Sequence, residues 1–305
     1  MQLDETQLSG ADPTAGFGDV IDVDEVAPSA RRRHTDGVVI DLRIPPPDVT
    51  ASEPPAAAPT EPAETVRPRV LAADSMTGRF AVVTGGGTEP GRSVAVELAA
   101  AGARVCVLGR DVASLRETVE LAGSDARILF MQCDVGSVVE IGEVVDFLER
   151  IDRPVDLLVH TETVQVPGGI EHGSVGDLDE QYLVNVRGRY VLSQRLLEPL
   201  RAARGHVVFV NGARHDASGG DLGQFNIAGR AVEALADALR SEAESDGVRV
   251  TSIHRGPTAE KGAAVMVAEQ LADCVLEAVR LAERIDVTDL RVRPRPDHSG
   301  ERVTG

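Results

Sequence analysis

The sequence has no tryptophan, and aromatic residues make up only 3% of its 305 positions. With 42% of residues apolar, any core must be built from Val, Leu, Ile and Ala. Lysine is nearly absent: of 31 basic residues, only Lys261 is not arginine. That scarcity limits every chemistry that needs an amine. Against 49 acidic residues the net charge is −18, which excludes nucleic acid as a main partner, because phosphate binding needs clustered Lys and Arg. Cys106, Cys133 and Cys274 are widely spaced in apolar runs without a metal-ligand pattern, and read as buried free thiols. The opening MQLDETQLSG is acidic and lacks the apolar stretch of a secretory signal. No apolar run approaches the roughly 18 residues needed to span a membrane. These absences predict a soluble, cytoplasmic protein.

What is present follows two grammars. Residues 1–75 hold ten of the seventeen prolines and show no sustained apolar period. The run IPPPDVTASEPPAAAPTEPAETVRPR cannot bury enough surface to offset the ordering of its backbone. This predicts a disordered, extended tail over 1–75, with a second disordered end over 297–305. Two pieces break the pattern: the basic cluster RRRH (31–34), and GVVIDLRI (37–44), which alternates enough to form a strand. They read as solvated linker or as a docking motif that adds a strand to the edge of a partner's sheet. IDVDEV (21–26) is a weaker candidate of that kind.

From Gly78 onward, short apolar runs alternate with longer amphipathic ones. RFAVVTG (79–85), ARVCVLG (103–109), ARILFMQ (126–132), VDLLVH (155–160), GHVVFVN (205–211), VRVTSIH (248–254) and DLRVRP (289–294) read as strands. Between them lie helical patterns near 91–101, 112–122, 137–150, 179–203, 224–245 and 264–283. Strict alternation of this kind predicts a parallel sheet covered on both faces by helices, with right-handed crossovers. Residues 76–296 are thus expected to form one doubly wound, Rossmann-type α/β domain of about seven mainly parallel strands.

The first strand, turn and helix read VVTGGGTEPGRSVAVELAAAGARVCVLGRD (82–111). This resembles the opening of a short-chain dehydrogenase/reductase, whose pattern is T-G-x-x-x-G-x-G. CDV (133–135), VNVRG (184–188) and RGPT (255–258) follow at the family's spacing, and the resemblance covers about residues 78–295. It implies that Thr84, Gly85 and Gly91 border a pyrophosphate, where glycines let the backbone approach at a helix N-terminus. Arg110 and Asp134 stand where similar proteins grip a 2′-phosphate and the adenine, which implies NADP over NAD. The middle glycine of the pattern is instead Glu89, followed by Pro90. A carboxylate beside a pyrophosphate is repelled by about 4 kcal/mol per charge pair at about 4 Å and an effective dielectric of about 20. The alternative is that Glu89 swings to solvent as an acidic residue at the start of the helix. The family's N-N-A-G reads HTET (160–163), a bulkier and charged turn on the nicotinamide side. The implied cofactor is none, or weakly bound NADP.

The resemblance also locates the catalytic positions. The family uses a serine to orient a carbonyl and a tyrosine as general acid/base. A lysine lowers the tyrosine pKa, and an asparagine holds a water chain. Asn185 matches the asparagine. The serine position is Gly212, the tyrosine position thirteen residues on is Phe225, and the lysine position four later is Gly229. Phe keeps the ring and loses the proton, while Gly keeps neither charge nor reach. The chain's two tyrosines, Tyr182 and Tyr190, flank Asn185, and Lys261 lies beyond the sixth strand of the domain, so no shift of register restores a Tyr-x-x-x-Lys pair. His160, His215, Asp216 and His254 fall near the carboxyl ends of strands, where a His–Asp couple could substitute; as the plainer reading, they are solvated loop residues.

These features predict a catalytically silent relative of the short-chain dehydrogenases, a structural or regulatory subunit beside an active paralogue. The resemblance implies homo- or hetero-oligomers formed through the fourth and fifth helices and through the last helix and strand. Leu183, Val186, Tyr190, Leu197 and Leu200, with Val232, Leu235, Ala236 and Leu239, recur there at helical spacing. Such stripes serve a partner or simply the chain's own sheet. The alternatives are an NADP-dependent oxidoreductase, of carbonyl reductase or alcohol dehydrogenase type, with other catalytic residues; a dinucleotide-binding sensor without turnover; and a scaffold whose tail is the working part.

Overall fold

Six apolar runs become buried parallel strands of one sheet because each is hydrophobic on both faces and can be buried only between two layers of helices; the seventh, Asp289–Val292, joins them as a half-exposed edge. The computed structural model describes residues 75–123, 126–212, 222–256 and 267–293, together with the strand backbones at 32–35 and 38–42. In chain order the strands are β1 (Arg32–Thr35), β2 (Val38–Leu42), β3 (Phe80–Thr84), β4 (Arg104–Gly109), β5 (Ile128–Gln132), β6 (Leu157–His160), β7 (His206–Asn211), β8 (Arg249–Arg255) and β9 (Asp289–Val292). Their order across the sheet is β1-β2-β5-β4-β3-β6-β7-β8-β9, and every pairing from β5 to β9 is parallel. The chain moves outward from β3 through β4 to β5, then returns to the other side of β3 as β6. The reversal leaves a crevice at the carboxyl ends of β3 and β6, where folds of this type place their sites.

Two cores flank the sheet. On one face Val82, Leu108 and Met131 pack with Ile141, Val144 and Leu148 of α3 (Val138–Arg150) and with Val232, Ala236 and Leu239 of α7 (Gly223–Ala243). On the other, Ala81, Val83 and Val107 meet Val94 and Leu98 of α1 (Gly91–Ala100), Leu115 of α2 (Val112–Leu121) and Val275 of α8 (Ala268–Leu281). Each such Val or Leu contributes roughly 1.5–3 kcal/mol relative to exposure. Cys106 and Cys133 are buried in this packing, whereas Cys274, expected to be buried, is half-buried; all three are free.

One expected helix is broken. The pattern over 179–203 becomes α4 (Val175–Tyr182), a π-helical turn (Leu183–Gly188), α5 (Arg189–Arg195) and α6 (Leu197–Ala203). The break at Leu196 has a covalent cause, since Pro199 has no N–H to donate to the carbonyl four residues earlier. The π turn sits where Gly188 meets β5's exit: a Cβ there would lie 2.3 Å from the Val135 carbonyl oxygen.

Within the stretch read as an extended linker, β1 and β2 form an antiparallel hairpin, and β2 pairs antiparallel with β5. Val38–Leu42, the described part of the alternating segment, thus adds a strand to the chain's own sheet. The physical reason is the open edge at β5, whose unpaired N–H and C=O groups accept a further strand. IDVDEV, the Pro/Ala/Glu run and residues 297–305 lie outside the described residues. No helix among the described residues is long and apolar enough to cross a membrane.

Candidate functional site

The crevice is built first from the loop between β3 and α1. Thr84 is buried, and its hydroxyl oxygen accepts from the backbone N–H groups of Thr161 (3.1 Å) and Glu162 (3.2 Å). The Thr161 hydroxyl donates back to the Thr84 carbonyl. This exchange clamps the start of the glycine loop to the end of β6. Gly85 has φ +67°, a left-handed conformation that favours glycine. A Cβ on it would lie 2.9 Å from Glu162 Oε2, so the Glu162 carboxylate sits directly over this glycine. A Cβ on Gly91 would lie 2.4 Å from both the Gly85 carbonyl and the Thr161 hydroxyl. Gly91 is therefore required by the packing of α1 on the loop.

The first turn of α1 is supplied with acceptors from its own chain. Glu89 Oε2 accepts from the Ser93 hydroxyl (2.7 Å) and the Ser93 N–H (3.2 Å). Arg92 N–H donates to the Thr88 carbonyl at 2.9 Å, and Pro90 has no N–H. Glu89 is exposed, as one of the two expectations had it, but it turns back and takes the positive end of the helix for itself. Arg92 spans the loop, donating to the Gly87 carbonyl (2.7 Å) and pairing with Glu117 (2.7 Å).

Of the two residues assigned to the adenosine side, Arg110 is exposed at the end of β4. Asp134 forms a turn: its Oδ1 accepts from Gly136 N–H at 2.8 Å, and its own N–H donates to Glu140 at 2.8 Å. Glu162 faces both of them. Burial pushes its carboxyl above the usual carboxylate range, Asp134 adds to that, and the Arg110 and Arg189 guanidinium groups oppose it.

On the other side of β6 lies a hollow of about 30 Å³ bordered by Asn185, Arg189, Asn211, Gly212, Phe225 and Gly229. All four positions assigned to catalysis meet here. Asn185 lies in the π turn, and its amide bonds Val164 in both directions: Oδ1 accepts from the N–H at 2.8 Å and Nδ2 donates to the carbonyl at 2.6 Å. The Phe225 ring covers Gly212, since a Cβ there would lie 2.7 Å from Phe225 Cζ. Around Gly229 a Cβ would meet nothing within 4 Å. Tyr182 and Tyr190 are exposed on the outer surface, and neither borders the hollow. Lys261 lies outside the described residues.

Arg189 was not singled out from the sequence, yet it dominates this hollow. The residue is 3% exposed. Its Nη1 donates to Asn211 Oδ1 (3.0 Å), and its Nη2 to the Glu162 carbonyl (2.7 Å), the Thr163 hydroxyl (3.0 Å) and the Val210 carbonyl (3.4 Å). Burial pushes the guanidinium down to about 10, with Glu162 partly opposing. A faint signal existed: Arg189 stands four residues after Asn185, on the same side of the helical pattern. Glu162, half-buried within the HTET turn, was not singled out either.

The histidines proposed as substitutes divide. His160 is buried, its Nε2 2.9 Å from the Ser193 hydroxyl and its ring stacked on Phe209 at 4.9 Å. Burial, with Arg189 adding to it, holds its pKa well below the usual value. It is a neutral packing residue and not the solvated loop residue expected. His254 is also buried, between Asp289 (3.1 Å) and Glu233 (3.8 Å). His215 and Asp216 lie outside the described residues. Among the described residues no cluster could hold a metal ion.

A doubly wound sheet with a glycine loop at its switch point defines a dinucleotide-fold protein. More narrowly, the chain belongs to the short-chain dehydrogenase family, whose model, "short chain dehydrogenase", matches residues 79–271. It is 27% identical over 234 residues to an uncharacterised short-chain type dehydrogenase/reductase of Sinorhizobium fredii, covering 70% of this chain and 90% of that one. It is 26% identical over 244 residues to the glycine betaine reductase of Emericella nidulans, covering 73% of this chain and 19% of that longer protein. A metagenomic short-chain oxidoreductase solved in complex with NADP shares the fold, with a TM-score of 0.66 and 24% identity, over 72% of this chain and 99% of that one.

The family implies a dinucleotide, and the residues here do not fit one as they are arranged. The Glu162 carboxylate fills the approach to Gly85, Glu89 and Thr88 occupy donors of the first helical turn, and glycine stands at the ribose-holding lysine position. Thr84, Gly85, Gly91 and Asp134, expected to hold the dinucleotide, are each engaged in the chain's own structure.

Proposed function

We propose that this chain is a catalytically silent short-chain dehydrogenase homologue, working as a structural or regulatory subunit with an active dehydrogenase/reductase paralogue. The observation that carries this reading is the packing of the Phe225 ring over Gly212. It leaves neither a hydroxyl to polarise a carbonyl nor a phenol to move a proton, and Gly229 provides no charge to tune one. The carboxylates over Gly85 and α1 support weak NADP binding or none.

The pairing surface is narrower than the helical stripes suggest. Val186, Leu200, Val232, Ala236 and Leu239 are buried in this chain's own core, and Leu197 and Leu235 pack against it. What faces outward is Tyr182, Leu183 and Tyr190, with Ile227 on α7, exposed by 37–50%. These elements pack on one another, so their outer residues suit a partner helix pair. An NADP-dependent oxidoreductase with other catalytic groups has less support, since His160 is stacked and bonded and both tyrosines lie outside.

The test is co-expression with neighbouring dehydrogenase genes, followed by copurification and an NADPH titration of the isolated chain. A stable complex that loses Tyr190→Glu, with no NADPH turnover by this subunit, is expected. A soluble homomer that captures no such partner, or that oxidises NADPH alone, overturns the reading.

A further inference from the structure

We propose that the β1–β2 hairpin is an edge cap: it occupies a β5 edge that would otherwise pair with the β5 edge of a second copy of this chain. This rests on strand pairing and not on the helix partnering described above. Without the hairpin β5 would be an outer strand of the sheet. β2 covers it, pairing antiparallel through Ile40↔Met131, Asp41↔Phe130 and Leu42↔Leu129. An outer strand presents a row of unpaired N–H and C=O groups, to which another extended chain can add.

The two ends of the sheet differ in how they resist such addition. At the far end β9 is short and carries Asp289 and Arg291, both exposed; charges on an edge strand deter a further one. β5 has no such protection. Its ILFMQ (128–132) contains no charge and no proline, and Cys133 prolongs the uncharged run. That is the composition of segments that stack on copies of themselves. The hairpin replaces this strand as the outer edge with β1, whose sequence is RRHT. Pairing two β1 strands would set one basic segment against another, and like charges across a strand pair are destabilising.

The chain's own hairpin is the favoured occupant. Thr35 pairs with Val38, so Asp36 and Gly37 make a two-residue connection, and Asp-Gly is the strongest short-range signal for such a hairpin. β2 ends at Leu42↔Leu129, running toward the end of the sheet at which the chain enters β3. Only β5 and β4 stand between β2 and β3, three strand spacings or about 14 Å. Residues 43–79 join the two strands, where about five extended residues would span the gap. A tether of this kind holds the hairpin beside its own β5 at an effective concentration on the order of 1 mM. A second copy at micromolar concentration competes at a disadvantage of about a thousandfold.

Sedimentation of the full chain, together with hydrogen exchange at Ile128–Gln132, tests this. Adjacent strand residues point their N–H groups at opposite neighbours, so Ile40→Pro with Asp41→Pro removes a donor toward β5 whichever residue supplies it. At low concentration the β5 amides of this double variant should exchange faster than the parent's by about tenfold or more. As concentration rises through the micromolar range, the variant should associate to twice the parent's mass. A synthetic peptide of residues 31–43 at about 1 mM, matching the tether, should return the mass to the parent's. If the double variant precipitates, Gly37→Val, which disfavours the turn alone, takes its place. The proposal is overturned if the β5 amides exchange alike in variant and parent, if the variant keeps the parent's mass at every concentration, or if the peptide leaves the association intact.

Discussion

The glycine-loop cradle and the hollow bordered by Gly212, Phe225 and Gly229 differ in the charge that their side chains bring. In the cradle nearly all the family landmarks remain, because each has a structural duty. Thr84 clamps β3 to β6, Gly91 lets α1 pack on the loop, and Asp134 forms the turn into α3. Two carboxylates stand at the cradle, Glu89 on Ser93 of α1 and Glu162 over Gly85. In the hollow, Asn185 pins Val164, and the positions expected for serine, tyrosine and lysine carry Gly212, Phe225 and Gly229. The buried cation beside them is Arg189. The cradle thus carries two carboxylates, and the hollow is bordered by a buried guanidinium.

The contrast is broken most severely at Arg189. Its removal leaves three carbonyl or amide oxygens and a hydroxyl in the interior without their donor. Losing one partner of a buried charged network costs about 3–5 kcal/mol. Arg189→Met should lose that much stability by urea unfolding, with the m-value unchanged. A loss under about 1 kcal/mol would mean that the guanidinium is a passenger in the hollow.

The cradle should respond in the opposite sense, by gaining a function. Replacing both carboxylates, in Glu89→Gly with Glu162→Ala, removes two negative charges from the pyrophosphate approach. At about 4 kcal/mol per close charge pair in an effective dielectric of about 20, even partial relief should tighten NADPH binding tenfold or more, about 1.4 kcal/mol. Fluorescence titration reads this directly. Turnover should remain absent, because the hollow is untouched. If the double variant binds NADPH no better than the parent, the carboxylates are not what closes the cradle.

A pH series sharpens the role of Glu162. Its folded pKa is raised, chiefly by burial, so its contribution to stability is fully present below its unfolded value. That contribution is lost as pH rises through the folded value. Glu162→Gln should therefore gain stability relative to the parent as pH increases across that window, measured by urea unfolding at each pH. His160 and His206, both depressed by burial, act with the opposite sign: their contribution is lost as pH falls below the ordinary histidine value. Taking the difference between variant and parent cancels them. A difference that stays flat with pH would show that Glu162 is ionised at no cost.

Much of this fold was legible in the chain because strands buried on both faces must be apolar throughout, and turns bracket them. β3 to β9 fall within a residue or two of the apolar runs. The four positions expected for catalysis border one hollow; of these, Phe225 and Gly229 lie four residues apart on one helix, α7, where the spacing keeps them on one side. The split of the 179–203 helix was hidden in a close approach between Gly188 and Val135, a contact far apart in the chain. Arg189 was hidden because an arginine is ordinarily exposed, and Arg187, two residues earlier, is. Only the ends of β6 and β7, folded together, show which of the two is buried. The apolar stripes of α7 left two readings open for a related reason: a core face and a partner face have the same period.

The smallest effects separate the two glycines of the hollow, which look alike in the sequence. Gly212 is covered by the Phe225 ring, and a Cβ there would lie 2.7 Å from Cζ, closer than atoms can sit. Gly212→Ala must therefore push the ring or the strand end aside, at a cost of about 1–3 kcal/mol. Gly229 lies inside α7 with nothing within 4 Å of its Cβ position. There Gly229→Ala gains helix propensity and meets no obstacle, stabilising the chain by up to about 1 kcal/mol. Urea unfolding should thus give opposite signs for the same chemical change thirteen and four residues either side of one ring's reach along the family pattern. If both variants destabilise, the space around Gly229 is already filled in solution, and the hollow is smaller than its lining residues make it.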